Sequence, residues 1–151
     1  MKKLITSRQH GCDHPIIYTE QNFADEVLAK TDGRGVDVVY DSIGATTFED
    51  SVRCLHYLGT MRLFGIASGP PAPLELMHLD LLTSQHFVRP SLYAHARERE
   101  DLLAIANQTF EYVTQGVLKV DISQEFALKD AAAAHRAVES RTTRGSLVLL
   151  P

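Results

Sequence analysis

A chain of 151 residues with 44% apolar content can build one compact domain with a real core but hardly two. Its 23% charged residues and formal net charge of -4 include no basic stripe for phosphate backbones and no acidic tail, so nucleic acid is excluded as a partner and a small molecule is expected. Cys12 and Cys54 stand far apart with no further cysteine in the chain, which disfavours a disulfide scaffold and fits a reducing cytoplasm. After Met1, Lys2 and Lys3 the chain turns polar, unlike a signal peptide, and no apolar run approaches the roughly 18 residues of a membrane span. A soluble protein without membrane contact is expected.

In chain order, short β-branched runs alternate with helical stretches, and glycine or proline marks the turns between them. Past Gly11 and Pro15, Ile16 to Tyr18 reads as a brief extended segment. Asn22 then caps a helix with Phe23, Val27 and Leu28 on one face, ended near Gly33. Val36 to Ile43 reads as a strand buried on both faces, the kind found in parallel sheets. Thr46 or Thr47 caps a helix whose Phe48, Val52 and Leu55 share a stripe that closes at Gly59, and Thr60 to Gly65 is the next strand.

Gly69, Pro70, Pro71 and Pro73 make an irregular connection into a short helix around Leu76 to Leu82. Gln85 to Val88 is extended. Arg97 to Gln115 is the longest helix, with Leu102, Ile105, Ala106, Phe110 and Val113 at helical spacing and Gly116 placed as its C-cap. A helix from Leu128 to Ser140 precedes a final strand, Ser146 to Leu150. There is no repeat, low-complexity tract or flexible linker.

Parallel strands joined by crossover helices place ligands at the strands' carboxyl ends. Two such ends carry small residues: Tyr40-Asp41-Ser42-Ile43-Gly44, and Phe64-Gly65-Ile66-Ala67-Ser68-Gly69. Two readings stand side by side. The small residues let a flat cofactor approach the backbone, or Gly44 and Gly65 merely turn the chain while Asp41 caps the following helix.

The segment from Gly33 through Val36-Asp37-Val38-Val39-Tyr40-Asp41-Ser42-Ile43-Gly44 resembles the fourth-strand segment of NADPH:quinone oxidoreductases and zeta-crystallins, the zinc-free branch of the medium-chain dehydrogenase/reductase family. Ser51 to Gly59, Phe64-Gly65 with Ser68-Gly69, Arg89-Pro90-Ser91-Leu92, Gly116-Val117-Leu118, Leu128 to His135 and Gly145 to Pro151 are similar to family segments in the same order, so nearly the whole chain is covered. The resemblance implies an α/β fold, a partial Rossmann-type, doubly wound and mostly parallel sheet forming one domain over residues 1–151.

For the cofactor, NADPH, the resemblance implies Lys3 against the 2'-phosphate and Tyr18 on the adenosine side. Ser42 and Gly44 fall beside the cofactor, and Phe64, Gly65 and Ser68 near the nicotinamide ribose. Phe87, Val88 and Arg89 fall where the family's main chain meets the nicotinamide, and Arg141 close to the phosphates. Ammonium and guanidinium groups suit the extra anionic charge of NADPH. The implied reaction is hydride transfer from NADPH to a quinone or other conjugated carbonyl such as an enone, with no catalytic acid assigned in this chain.

Departures from the family pattern set further expectations. No glycine-rich G-x-G-x-x-G phosphate loop occurs before Tyr18, the first two strands of the 3-2-1-4-5-6 sheet are absent, and so is the N-terminal GroES-like domain that walls the other side of the cleft. The chain alone is therefore expected to reduce quinones poorly. The edge of the fourth strand, Val36 to Ile43, should be covered either by a rearranged neighbour, Ile16 to Tyr18, or by a strand from another molecule, giving a strand-exchanged oligomer. Gln85 to Val88 keeps the edge through which the family forms homodimers.

Other chemistries find less footing. No tyrosine has a lysine four residues on, Gly65 to Gly69 spells G-x-x-S-G instead of a G-x-S-x-G nucleophile elbow, and no metal is assigned to the seven histidines. Two alternatives are kept: a catalytically inactive remnant retaining only a dimerisation surface, and, more distantly, a methyltransferase-type Rossmann domain whose acidic-ended strand would be Val36 to Asp41.

Overall fold

The computed structural model describes residues 2–74, 83–140 and 143–151, with the backbone alone for residues 2–4. The expected helix around Leu76 to Leu82, and Arg141, lie outside the described residues. The chain divides into two compact units, a central one, Pro15–Arg97, and a terminal one composed of Met1–His14 and Glu98–Pro151.

The central unit opens with α2 (Phe23–Lys30), preceded in the chain by α1 (Lys2–Gln9) of the terminal unit. Asn22 caps α2 as expected, its side chain accepting from the Asp25 N–H at 3.0 Å, with Asp25 and Glu26 in the first turn and Lys30 in the last to complement the helix dipole. Then come β1 (Val36–Asp41), α3 (Phe48–Arg53), β2 (Leu55–Leu63), β3 (His86–Val88) and the single turn α4 (Leu92–His95). The three strands form one parallel sheet in the order β1-β2-β3, with Val38 opposite Thr60, Asp41 opposite Leu63, and Thr60 opposite His86.

Strand β2 begins at Leu55, not at Thr60, because α3 stops at Arg53 and Cys54 takes the C-cap. Val36 pairs with Leu55 but Val38 with Thr60, so β2 carries an irregularity that holds Leu58 at φ 60°, in the left-handed region where non-glycine residues are uncommon. Helix α3 packs on β1 and β2 and on α2. It covers the face where Met61 is 1% exposed, and the small core there comprises Ala24, Cys54, Leu55 and Met61 with the polar Asp41, Thr47 and Ser51.

Two expectations are corrected here. Strand β1 is not buried on both faces: Val38 is 43% exposed and Tyr40 68%, because successive strand residues alternate and these two point away from α3. Nor do Ile16 to Tyr18 form a strand. The Glu20 and Gln21 N–H groups both donate to the Ile17 carbonyl, folding the segment into a local turn behind Pro15. The rearranged sheet is therefore not adopted, and among the described residues the outer edge of β1 has no strand partner.

The terminal unit contains α1, then α5 (Arg99–Thr114), β4 (Ile122–Ala127), a turn of 3-10 helix (Leu128–Asp130), α6 (Ala131–Glu139) and β5 (Ser146–Leu150). Helix α5 forms within the expected span, and Gly116 follows its C-cap at φ 72°. Strand β4, unforeseen from the sequence, pairs in parallel with β5, and α6 packs on both. Ser-Gln-Glu in its middle hides the strand from an apolar pattern, since its backbone is held by β5 while its side chains stay exposed. A His10 to Asp121 contact of 3.1 Å ties the end of α1 to the start of β4. No helix among the described residues is long and apolar enough to cross a membrane.

Candidate functional site

The carboxyl end of β1 is locked to the start of α3 by the Asp41 carboxylate. One of its carboxylate oxygens accepts from the Ile43 and Gly44 N–H groups at 2.7 and 3.0 Å, and the other from the Thr47 and Ser51 hydroxyls at 2.8 and 2.9 Å. Burial alone would push its carboxyl pKa up, but the two backbone N–H groups and two hydroxyls stabilise the anion and bring the net shift below the ordinary value. A buried anion with four donors fixes the turn from strand to helix. The capping threonine is Thr47, yet its hydroxyl serves Asp41 and the Gly44 carbonyl and not the helix amides.

The loops after the two strands interlock through their backbones. Ala45 N–H donates to the Gly69 carbonyl, Ala67 N–H to Ser42 and Ser68 N–H to Ile43. Gly44 sits at φ 90°, and a Cβ there would lie 2.5 Å from the Gly69 oxygen; at Gly65 it would lie 2.6 Å from the Ser42 oxygen. Both glycines are thus required by the approach of one loop to the other. Ser68 is a loop-locking residue, its hydroxyl donating to the Ile43 carbonyl at 2.8 Å and accepting from the Thr46 N–H at 3.1 Å.

Two cavities open at these strand ends. The larger, about 640 Å³, lies beyond β2 and β3, between Leu63–Ile66 and Arg89–Tyr93. The smaller, about 270 Å³, lies between Ile16 and Tyr18 on one side and Val39 to Ile43 on the other. The fold thus brings Ser42, Gly44, Phe64, Gly65 and Ser68 into one loop cluster, sets Phe87, Val88 and Arg89 on the adjacent strand end, and places Tyr18 across the smaller cavity. Phe64 is exposed and meets Tyr40 edge to face, ring centroids 6.4 Å apart. Lys3 is on α1, in the terminal unit.

The network around Asp41 is what the sequence reading underweighted; the signal was Asp41 with Thr47 and Ser51 one helical turn apart. Among the described residues no three His, Cys, Asp or Glu side chains gather so as to hold a metal ion. Burial, and then Asp50, raises the Cys54 thiol to about 11, so it is protonated at neutral pH and no nucleophile.

A parallel α/β sheet with concave sites at its carboxyl ends defines a nucleotide-binding class of fold. The family model of zinc-binding dehydrogenases matches residues 10–149, and the chain belongs to that family. It is 41% identical over 150 residues to a quinone oxidoreductase of Pseudomonas aeruginosa, covering 99% of this chain and 46% of that protein. It is 40% identical over 151 residues to the 2-haloacrylate reductase of a Burkholderia species, covering 99% and 45% respectively. The crystal structure of Escherichia coli quinone oxidoreductase complexed with NADPH superposes with a TM-score of 0.82 at 40% identity, over 90% of this chain and 42% of that one. The chain therefore spans about half the length of these relatives.

Proposed function

We propose that this chain is the nucleotide-binding part of an NADPH-dependent oxidoreductase that passes hydride to a quinone or another conjugated carbonyl compound. The observation that carries the reading is the cavity of about 640 Å³ at the ends of β2 and β3, within the roughly 300 to 1,000 Å³ typical of small-molecule sites, at the place where parallel sheets bind ligands. Its relatives are quinone oxidoreductases, and one was crystallised with NADPH.

The residues fit one end of that cofactor. Phe64, Gly65 and the backbone of Val88 and Arg89 would receive the nicotinamide end, Ser42, Gly44, Ser68 and Phe87 would stand beside it, and Tyr18 would stand at the adenosine side. Bound there, the reduced nicotinamide supplies hydride, and this chain's part is to seat the cofactor and keep water from the transfer. The edge of β3, unpaired among the described residues, would serve a homodimer in the cytoplasm, and that of β1 a strand-exchanged oligomer.

Titration of the purified chain with NADPH, followed by nicotinamide fluorescence and thermal shift with NADH and S-adenosylmethionine as controls, tests this. Saturable binding selective for NADPH is expected. No binding would leave a remnant with a dimerisation surface, and a response to S-adenosylmethionine alone would point to a methyltransferase-type domain.

A further inference from the structure

We propose that the apolar face of α5 is an interface between two copies of this chain, with the helices antiparallel and Ala106 at their crossing. Leu102, Leu103, Ala106, Phe110 and Val113 recur at intervals of three, four and seven residues, which places them on one stripe of the helix. The four large side chains are exposed, Ala106 is half-buried, and none of the sixteen residues of α5 is buried. A helix of this length is marginal in water by itself and draws its stability from packing its apolar face. The stripe of α5 is therefore a surface that needs a cover.

The order of residues along the stripe points to a second copy. In an antiparallel pair with the two-fold axis beside Ala106, Leu103 of one protomer meets Phe110 of its partner and the reverse, so the stripe fits itself in size and polarity. The small Ala106 side chain lets the two axes approach where they cross. Charge fixes the direction. Arg99 stands in the first turn on the line of the stripe, at the positive end of its own helix dipole, while the last turn holds Glu111 and no basic residue. Antiparallel pairing carries each Arg99 to the carboxyl end of the partner's helix, where the dipole and Glu111 attract it; parallel pairing would set Arg99 against Arg99.

Size sets the strength. At about 1.5 Å per residue α5 is about 24 Å long. Two such stripes bury on the order of 1,000 Å², the lower end of specific interfaces. A reversible dimer with a dissociation constant of about 10 μM is therefore expected. This contact lies in the terminal unit and uses side chains, unlike strand pairing at the edges of β1 or β3, and it does not depend on what the central unit binds.

Sedimentation equilibrium of the full chain over about a thousandfold range of concentration tests it. The mass is expected to rise reversibly from 16.8 kDa toward twice that value. Phe110→Glu, at a position where the side chain is exposed, should weaken association about a hundredfold while the circular dichroism spectrum stays unchanged. Arg99→Glu or Glu111→Arg should each weaken it about tenfold, since each contact occurs twice in a two-fold dimer, and the two together should restore it to within about threefold. A chain that stays monomeric throughout overturns the proposal. So does a dimer that Phe110→Glu leaves intact, which runs through a strand edge, or a doubly reversed chain that associates no better than the single variants. If Phe110→Glu loses its fold, the charge-reversed pair decides.

Discussion

The two units of this chain are stabilised differently. In the central unit, Ala24, Cys54, Leu55 and Met61 are buried around a carboxylate that satisfies four donors, and the loops at the strand ends are pinned to one another. In the terminal unit Ala134 is the buried apolar residue among those described, and helix α5 buries none of its sixteen residues. Its elements are made by local rules: acidic residues in the first turn of α5, a left-handed glycine after its C-cap, and a parallel strand pair held by backbone hydrogen bonds. Regular backbone is thus not evidence of a core. The strong sites for mutation lie in the central unit, and so does the candidate functional site.

The largest effect is expected at Asp41. Replacing it with alanine leaves two backbone N–H groups and two hydroxyls without their acceptor in a buried place, which should cost about 3 kcal/mol. Amide exchange should then accelerate in β1 and β2 and stay unchanged in β4 and β5. Since the folded carboxyl titrates below the ordinary aspartate value, its contribution is fully present above the unfolded pKa of about 3.9 and fades as pH falls through the lower folded value. Asp41→Asn should flatten that acid limb of a stability profile taken between about pH 2 and pH 6. An acid limb of unchanged slope would show that another carboxylate governs it.

A smaller loss is expected from Gly44→Ala. The added Cβ would lie 2.5 Å from the Gly69 carbonyl oxygen, and the residue sits at φ 90°, so steric and backbone strain combine to about 2 kcal/mol. Chemical denaturation monitored by circular dichroism reads it. The variant also separates two roles for the glycine: if stability is kept while NADPH affinity falls, the position serves the cofactor and not the packing of the loops.

Much of this was legible in the residues. Asn22 before Phe23, the valines of β1 and the glycine after α5 announce their elements through propensity and capping chemistry. The strand ends that form the loop cluster were legible because small residues follow an apolar run. What escaped depends on context. Strand β4 has a polar middle, and only its neighbour β5 makes it a strand. Ile16 to Tyr18 has strand-like residues, yet the Ile17 carbonyl is taken by the Glu20 and Gln21 N–H groups of a local turn. The burial of β1 failed as an expectation because an apolar pattern states what a residue can cover, not what is there to cover it.

The smallest effect sharpens the contrast most. Phe110 lies on the apolar stripe of α5 and is 68% exposed. A buried phenylalanine replaced by alanine costs about 3 to 5 kcal/mol, whereas at an exposed helix position the change should stay within about 0.5 kcal/mol, since alanine is also the better helix former. Phe110→Ala should therefore leave the melting temperature of the dilute chain nearly unchanged. If the stripe instead packs against a second polypeptide, the cost would grow with protein concentration, because association contributes to the stability of a dimer by mass action. Melting curves at two concentrations about a hundredfold apart tell these apart: coincident shifts mean that the stripe is solvated, and diverging shifts mean that the apolar face of α5 is an interface.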